Sequence, residues 1–99
     1  MTIAKELNDA TLTMKIEGRI DTQTAPDLQK EIEDSLEGVK ELILDFTQVI
    51  YISSAGLRTI LTALNWMNAQ NGTMIIRGAG KNIVNVFKVT GFDTFLTLE

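Results

Sequence analysis

Ser53 and Ser54 stand together where an apolar strand-like run has ended and a helical pattern begins, and they are the residues of this 99-residue chain best placed to do chemistry. A serine nucleophile needs a general base. The sequence has no His and no Cys, which removes imidazole bases, thiol nucleophiles, disulfides and zinc thiolate sites. A lysine would have to serve, and the basic residues beyond Ser54 (Arg58, Arg77, Lys81, Lys88) form no dyad pattern with it. Catalysis is not expected. Two other roles fit the position. A serine oxygen before a helix can accept the hydrogen bond of an otherwise unpaired N–H. The same point favours an added phosphate, because the helix dipole and the free N–H groups attract negative charge. Residue types alone leave capping and phosphorylation side by side.

Gly78-Ala79-Gly80 ahead of a short helical pattern is a fragment of a phosphate-cradling loop. It lacks the third glycine and the Lys-Ser/Thr of a P-loop, so it reads as a strand-to-helix turn. The net charge of −4 has the wrong sign for a protein that lives on phosphate backbones, and no nucleic-acid partner is expected. No cofactor or metal site is expected either. The longest apolar run is a few residues, far short of the roughly 20 that a membrane span requires, so membrane insertion is not expected. The N-terminus has no basic stretch followed by an apolar segment; with no Cys, the expected location is the cytoplasm.

The elements that must position these residues follow from hydrophobic periodicity. Thr11 to Glu17 alternates, with Leu12, Met14 and Ile16 on one face, which predicts a half-buried strand. Ile3 to Leu7 is a weaker strand, joined to it through a turn at Asn8-Asp9. Thr24-Ala-Pro-Asp27 resembles a capping box, and Ala25, Leu28, Ile32 and Leu36 follow at helical spacing until Gly38. Leu42 to Phe46 is apolar at nearly every position, as in a strand covered on both faces. A helix over Gly56 to Ala69, a strand over Thr73 to Arg77, a short helix with Ile83, Val84 and Phe87 closed by Gly91, and a last strand within Phe95 to Leu98 complete the order. The result is one α/β domain over residues 1–99, β-β-α-β-α-β-α-β, with a mixed sheet and right-handed crossovers.

Charge is unevenly placed. Residues 1–50 carry five basic and eleven acidic side chains, and residues 51–99 carry four and two. The acidic excess reads mainly as the solvated face of the first helix. In the second helix, Leu57, Leu61, Leu64 and Asn68 fall within about 40° of one line. Trp66 falls almost opposite, with Ala55, Thr59 and Thr62, and Arg58 is the only charge from Ser53 to Gln70. A surface with one Arg, one Trp and small residues has the composition of a protein interface, the alternative being that another element of the same domain covers Trp66.

Asp45-Phe-Thr-Gln-Val-Ile-Tyr-Ile-Ser-Ser-Ala-Gly-Leu57 resembles the signature of STAS domains, in particular the stand-alone anti-sigma factor antagonists. Gly18-Arg-Ile-Asp21 is similar to the family's Gly-x-Leu/Ile-Asp, and Val86 to Asp93 to its C-terminal helix and Thr-Gly turn. The resemblance implies helices packed to one side of the sheet, and a non-enzymatic protein-binding switch. In that family the unphosphorylated antagonist binds an anti-sigma factor that is also a serine kinase, which releases the sigma factor. Phosphorylation ends binding, and a PP2C-type phosphatase resets the protein. Counting back from Gly56, the family's phosphoserine falls on Ser54, with Ser53 second choice at a position often occupied by Asp. Arg58, Thr59, Thr62 and Trp66 would then add binding surface, with Asp21 and Thr22 near it. Two rivals remain: a STAS subunit that scaffolds, for example, a lipid-transport ATPase, and a nucleotide-binding module using Gly78 to Lys81.

Overall fold

The computed structural model describes residues 1–99. Five strands, β1 (Thr2–Asn8), β2 (Thr11–Ile20), β3 (Glu41–Ile52), β4 (Thr73–Arg77) and β5 (Thr97–Leu98), form one sheet in the order β1-β2-β3-β4-β5. Only β1 runs antiparallel to its neighbour; the β2–β3, β3–β4 and β4–β5 pairs are parallel. Three helices, α1 (Ala25–Ser35), α2 (Ser54–Ala69) and α3 (Lys81–Thr90), and a 3-10 turn at Phe92–Thr94 connect them. The expected element order and mixed sheet are therefore present. No helix is long and apolar enough to cross a membrane.

A two-residue period decides which face is buried. Leu12, Met14 and Ile16 of β2, Leu42, Leu44 and Phe46 of β3, and Met74 and Ile76 of β4 join Leu28, Ile32, Ile60, Met67, Ile83 and Phe87 of the helices in a single core. The other face corrects the reading of β3 as covered on both sides. Its residues Ile43, Asp45 and their register neighbours Lys15 and Arg77 lie outside that core. Ile43 is only 6% exposed, but it is closed off beside Thr13 and Ile75 across the sheet rather than under a helix. The apolar run in β3 reflects a central strand position, where neighbouring strands shield even the open face.

Local chemistry explains the element ends, with some departures from expectation. The hairpin turn falls one residue later than expected, at Asp9-Ala10, because Asn8 still pairs with Thr11 in the ladder; Asp9 takes the left-handed conformation at φ 55°. Gly91 closes α3 at φ 80°, as its type requires. Thr24 precedes α1 but forms no side-chain cap; its hydroxyl donates to the Arg19 carbonyl (2.8 Å) and accepts from the Asp21 N–H (2.8 Å). Helix α1 ends at Ser35, ahead of Gly38, and the turn that follows it is held from the end of another helix. The Gln70 side-chain amide donates to the Leu36 carbonyl (2.8 Å) and the Val39 carbonyl (2.6 Å), while its backbone N–H closes α2. One residue thus ties two helix ends together. Gln70→Ala is expected to lower stability by about 1–2 kcal/mol, the loss of two hydrogen bonds without a core cavity, read as a lower urea midpoint at unchanged slope.

Helix α2 is oriented differently from its leucine pattern. Its buried residues are Gly56, Leu57, Thr59, Ile60, Ala63 and Met67, while Leu61 and Leu64 are only half-buried. The inward line is turned by roughly one residue step, about 100°, from the line through Leu57, Leu61 and Leu64. The cause is α1, which packs beside α2 on the same side of the sheet. Small residues on α2 allow that close approach, so the face composed of Ala and Thr meets a helix of the same chain.

Candidate functional site

The site is built where β2 and β3 end together. Ile20 and Ile52 are register partners, and the Ser53 N–H donates to the Ile20 carbonyl at 2.9 Å. The chain then enters α2. Ser53 is extended (φ −92°, ψ 175°), and its Oγ accepts the Gly56 N–H at 3.2 Å, which makes it the N-cap. Ser54 is the first helical residue. It is exposed, and its hydroxyl takes part in no hydrogen bond within the protein. The structure separates the two serines that residue types could not: Ser53 is occupied by capping and Ser54 is open.

Gly56 sets how close α2 comes to the sheet. A Cβ at this position would lie 2.7 Å from Ile52 Cγ1, 2.8 Å from Ile20 Cγ2 and 3.0 Å from the Ile20 carbonyl oxygen. Only hydrogen fits there. The glycine lets the first turn of α2 rest directly on the ends of two strands, which fixes the direction in which Ser54 faces solvent.

The loop from β2 to α1 is held by Asp21. Its Oδ1 accepts from the backbone N–H of Gln23 and of Thr24, each at 3.0 Å, and from the Thr24 hydroxyl at 3.2 Å. Its Oδ2 lies 3.7 Å from Arg19 Nε. The Thr24 N–H, before the other donors, holds the Asp21 carboxyl below the usual carboxylate range. Asp21 therefore shapes the loop, and Thr22 is carried outward. Thr22 joins Ala25, Pro26, Gln29, Lys30 and Glu33 of the α1 side and Ala55, Arg58 and Thr59 of α2 around an open groove of about 570 Å³.

Beyond Asp21 and Ser53, both half-buried and held by the hydrogen bonds above, the expected interface residues divide into three groups. Thr22, Ser54 and Arg58 are exposed at one end of the α1–α2 pair. Thr59 is not surface: it is 3% exposed, with its hydroxyl 3.4 Å from the Ala25 carbonyl and 3.5 Å from Gln29 Oε1. This corrects its assignment to an open face, for the reason already given, that α1 covers it. Thr62 is half-buried and donates to the Arg58 carbonyl at 2.9 Å, the position of a helical hydroxyl satisfied one turn back. Trp66 is also half-buried, packed against the core and beside Leu36, Glu37 and Gln70. It lies about 18 Å along the helix from Ser54, and the structure does not bring the two together.

Two residues at the site escaped the sequence reading. Ile50 is 62% exposed, and Tyr51 is exposed with its ring under the Arg19 guanidinium, 4.2 Å from the ring centre. Asn82 of α3 donates to the Ile50 carbonyl at 3.2 Å. Strict alternation would bury one of this pair. Register shifts in the β2–β3 ladder after Lys15 and after Gly18 break the alternation, and Val49 and Ile52 turn inward instead. The only sequence signal is the spacing of Val49 and Ile52.

At the other candidate, Gly78 has φ 74° and its missing Cβ would meet Thr47 Oγ1 at 2.5 Å. This glycine serves a tight turn beside β3. Ala79 and Lys81 line an open depression with Val84, Asn85 and Lys88.

The arrangement matches known proteins along its whole length. An anti-sigma-B factor antagonist of Listeria monocytogenes is 26% identical over 98 residues, covering 96% of this chain and 84% of its own. The crystal structure of an anti-sigma factor antagonist from Mycobacterium paratuberculosis superimposes with TM-score 0.87 at 23% identity, over 98% of this chain and 83% of the other. The anti-sigma factor antagonist SpoIIAA in its unphosphorylated form gives TM-score 0.80 at 16% identity, over 99% and 87%. These two structures share the fold, five strands with the helices between them. The STAS domain model matches residues 2–99, from the first residue of β1 past the end of β5, and the chain belongs to that family.

Proposed function

We propose that this protein is an anti-sigma factor antagonist, a binding switch that engages an anti-sigma factor through the end of the sheet around α2 and is released by phosphorylation of Ser54. The observation that carries the reading is the division of labour at the helix entrance, where Ser53 caps α2 and leaves the Ser54 hydroxyl exposed and uncommitted. A relative named as an anti-sigma-B factor antagonist spans nearly all of the chain and supports the class of partner. The partner is an anti-sigma factor with serine kinase activity. Ser54 Oγ attacks the γ-phosphorus of ATP, its proton is lost, and ADP leaves. A PP2C-type phosphatase hydrolyses the ester and restores the hydroxyl. The protein itself acts by binding, in the cytoplasm where sigma factors work.

The fold tolerates the modification. The first turn of α2 contains no acidic side chain, so a phosphate adding a charge of about −1.5 to −2 meets the uncompensated positive end of the helix dipole. The unmodified surface offers Arg58, Thr22, Ile50 and Tyr51, a mixture of cation and exposed apolar groups suited to a protein partner. Incubation with a kinase-type anti-sigma factor and ATP, followed by fragmentation mass spectrometry, is expected to place the phosphate on Ser54. Ser54→Ala should bind and remain unmodified. Ser54→Glu should lose affinity at least about tenfold, or 1.4 kcal/mol, while melting within a few degrees of the unaltered protein. Phosphate on Ser53, or no binding by the unphosphorylated protein, overturns the reading.

A further inference from the structure

Arg58 is the single charged residue on α2, and it lies four residues after Ser54, the spacing at which two side chains meet on one helical face. The ion pairs of this protein are Lys5–Glu31, Arg19–Asp21, Lys30–Asp34 and Arg77–Glu99. Arg58 belongs to none of them. It is exposed at the groove between α1 and α2, whose lining also carries Lys30 and Glu33. Lys30 is itself paired to Asp34 at 3.3 Å, and Asp21 is taken up by Arg19 and by the N–H groups of its own loop. The one uncommitted guanidinium near the entrance to α2 is therefore one turn away from the hydroxyl that would carry the phosphate.

We propose that Arg58 is the intramolecular ligand of phosphorylated Ser54: once the ester forms, the guanidinium leaves the groove and closes on the phosphate one turn back. The inference rests on the phospho-Ser54 reading and adds its mechanism of release. Modification then does two things to the partner surface, adding negative charge at Ser54 and withdrawing the only cation of α2. Arginine suits the task because its planar fork can give two parallel N–H donors to phosphate oxygens. Lysine at the same place would supply charge without the fork.

The test needs neither kinase nor partner. Phosphoserine is installed at position 54 during synthesis, and its second ionisation, ordinarily near pH 6, is followed by phosphorus NMR. A nearby cation favours the dianion, so the ionisation in otherwise unaltered protein should lie about 0.2 to 0.4 pKa unit below that of the Arg58→Gln variant, the size expected of an exposed pair one helical turn apart. Arg58→Lys should fall between them. Glu33→Gln, which removes the competing carboxylate, should leave the lowered value in place or lower it further. Arg58 is exposed, so these variants keep the fold, and circular dichroism on the same samples verifies it. Equal ionisation with and without Arg58 overturns the proposal. That result would leave the phosphorylation switch at Ser54 standing, whereas failure of a kinase to modify Ser54 would leave this measurement unaffected.

Discussion

Replacing Phe87 with alanine is expected to cost about 3–5 kcal/mol, the range for removing a fully buried aromatic ring from a packed core. Phe87 is fully buried on α3, and its ring lies 6.4 Å from that of Phe46 at the centre of β3. Helix α3 buries only two side chains, Ile83 and Phe87, so the loss would both open a cavity and detach half of the helix's anchorage. A domain of this length holds roughly 5–15 kcal/mol in total, and the melting temperature should fall by about 15 °C or more. Val89→Ala two residues on is the matched control. Val89 is 74% exposed, and its truncation should stay within about 0.5 kcal/mol. Equal effects at the two positions would show that α3 does not pack through Phe87.

Gly56→Ala is expected to destabilise the protein by about 1–3 kcal/mol net, although alanine is the better helix former by about 1 kcal/mol. The steric term wins because the obstacles cannot move. The added Cβ would sit 3.0 Å from a backbone oxygen of β2 and under 3 Å from carbons of Ile20 and Ile52, both buried. Helix α2 must shift outward or the strand ends must part. A shift would also move Ser54 relative to the Asp21–Thr24 loop, so under the proposed function phosphorylation of Ser54 should slow along with the loss of stability. Urea unfolding with an unchanged slope and a lower midpoint is the expected signature. A Gly56→Ala protein as stable as the original would mean that α2 does not rest on the strand ends as described.

The order of elements was legible in the sequence because periodicity is a local property. The alternation of Leu12, Met14 and Ile16, the helical spacing of Leu28 and Ile32, and the turn residues Asn8-Asp9 and Gly91 each report on a few consecutive residues, and the structure contains the corresponding elements. The motif around Ser53–Leu57 was also readable, as was its resemblance to STAS domains, since side-chain identity and spacing carry it.

Three features depended on the tertiary structure. Which of the adjacent serines caps α2 rests on which hydroxyl the Gly56 N–H reaches, and that follows from the extended backbone at Ser53 where β3 ends. The exposure of Ile50 and Tyr51 arises from a register shift between β2 and β3, a property of two strands together. The inward face of α2 is set by α1 as well as by the sheet. A leucine stripe identifies an amphipathic helix but not how many neighbours it has; with two neighbours the buried arc widens and turns. Thr59 therefore went from a supposed partner surface to the packed seam with α1, and Trp66 from an open face to a half-covered one. The sequence by itself determined the elements, their order and the motif at the entrance to α2. Which faces of those elements meet water was decided only when they packed, because burial is a relation between segments far apart in the chain.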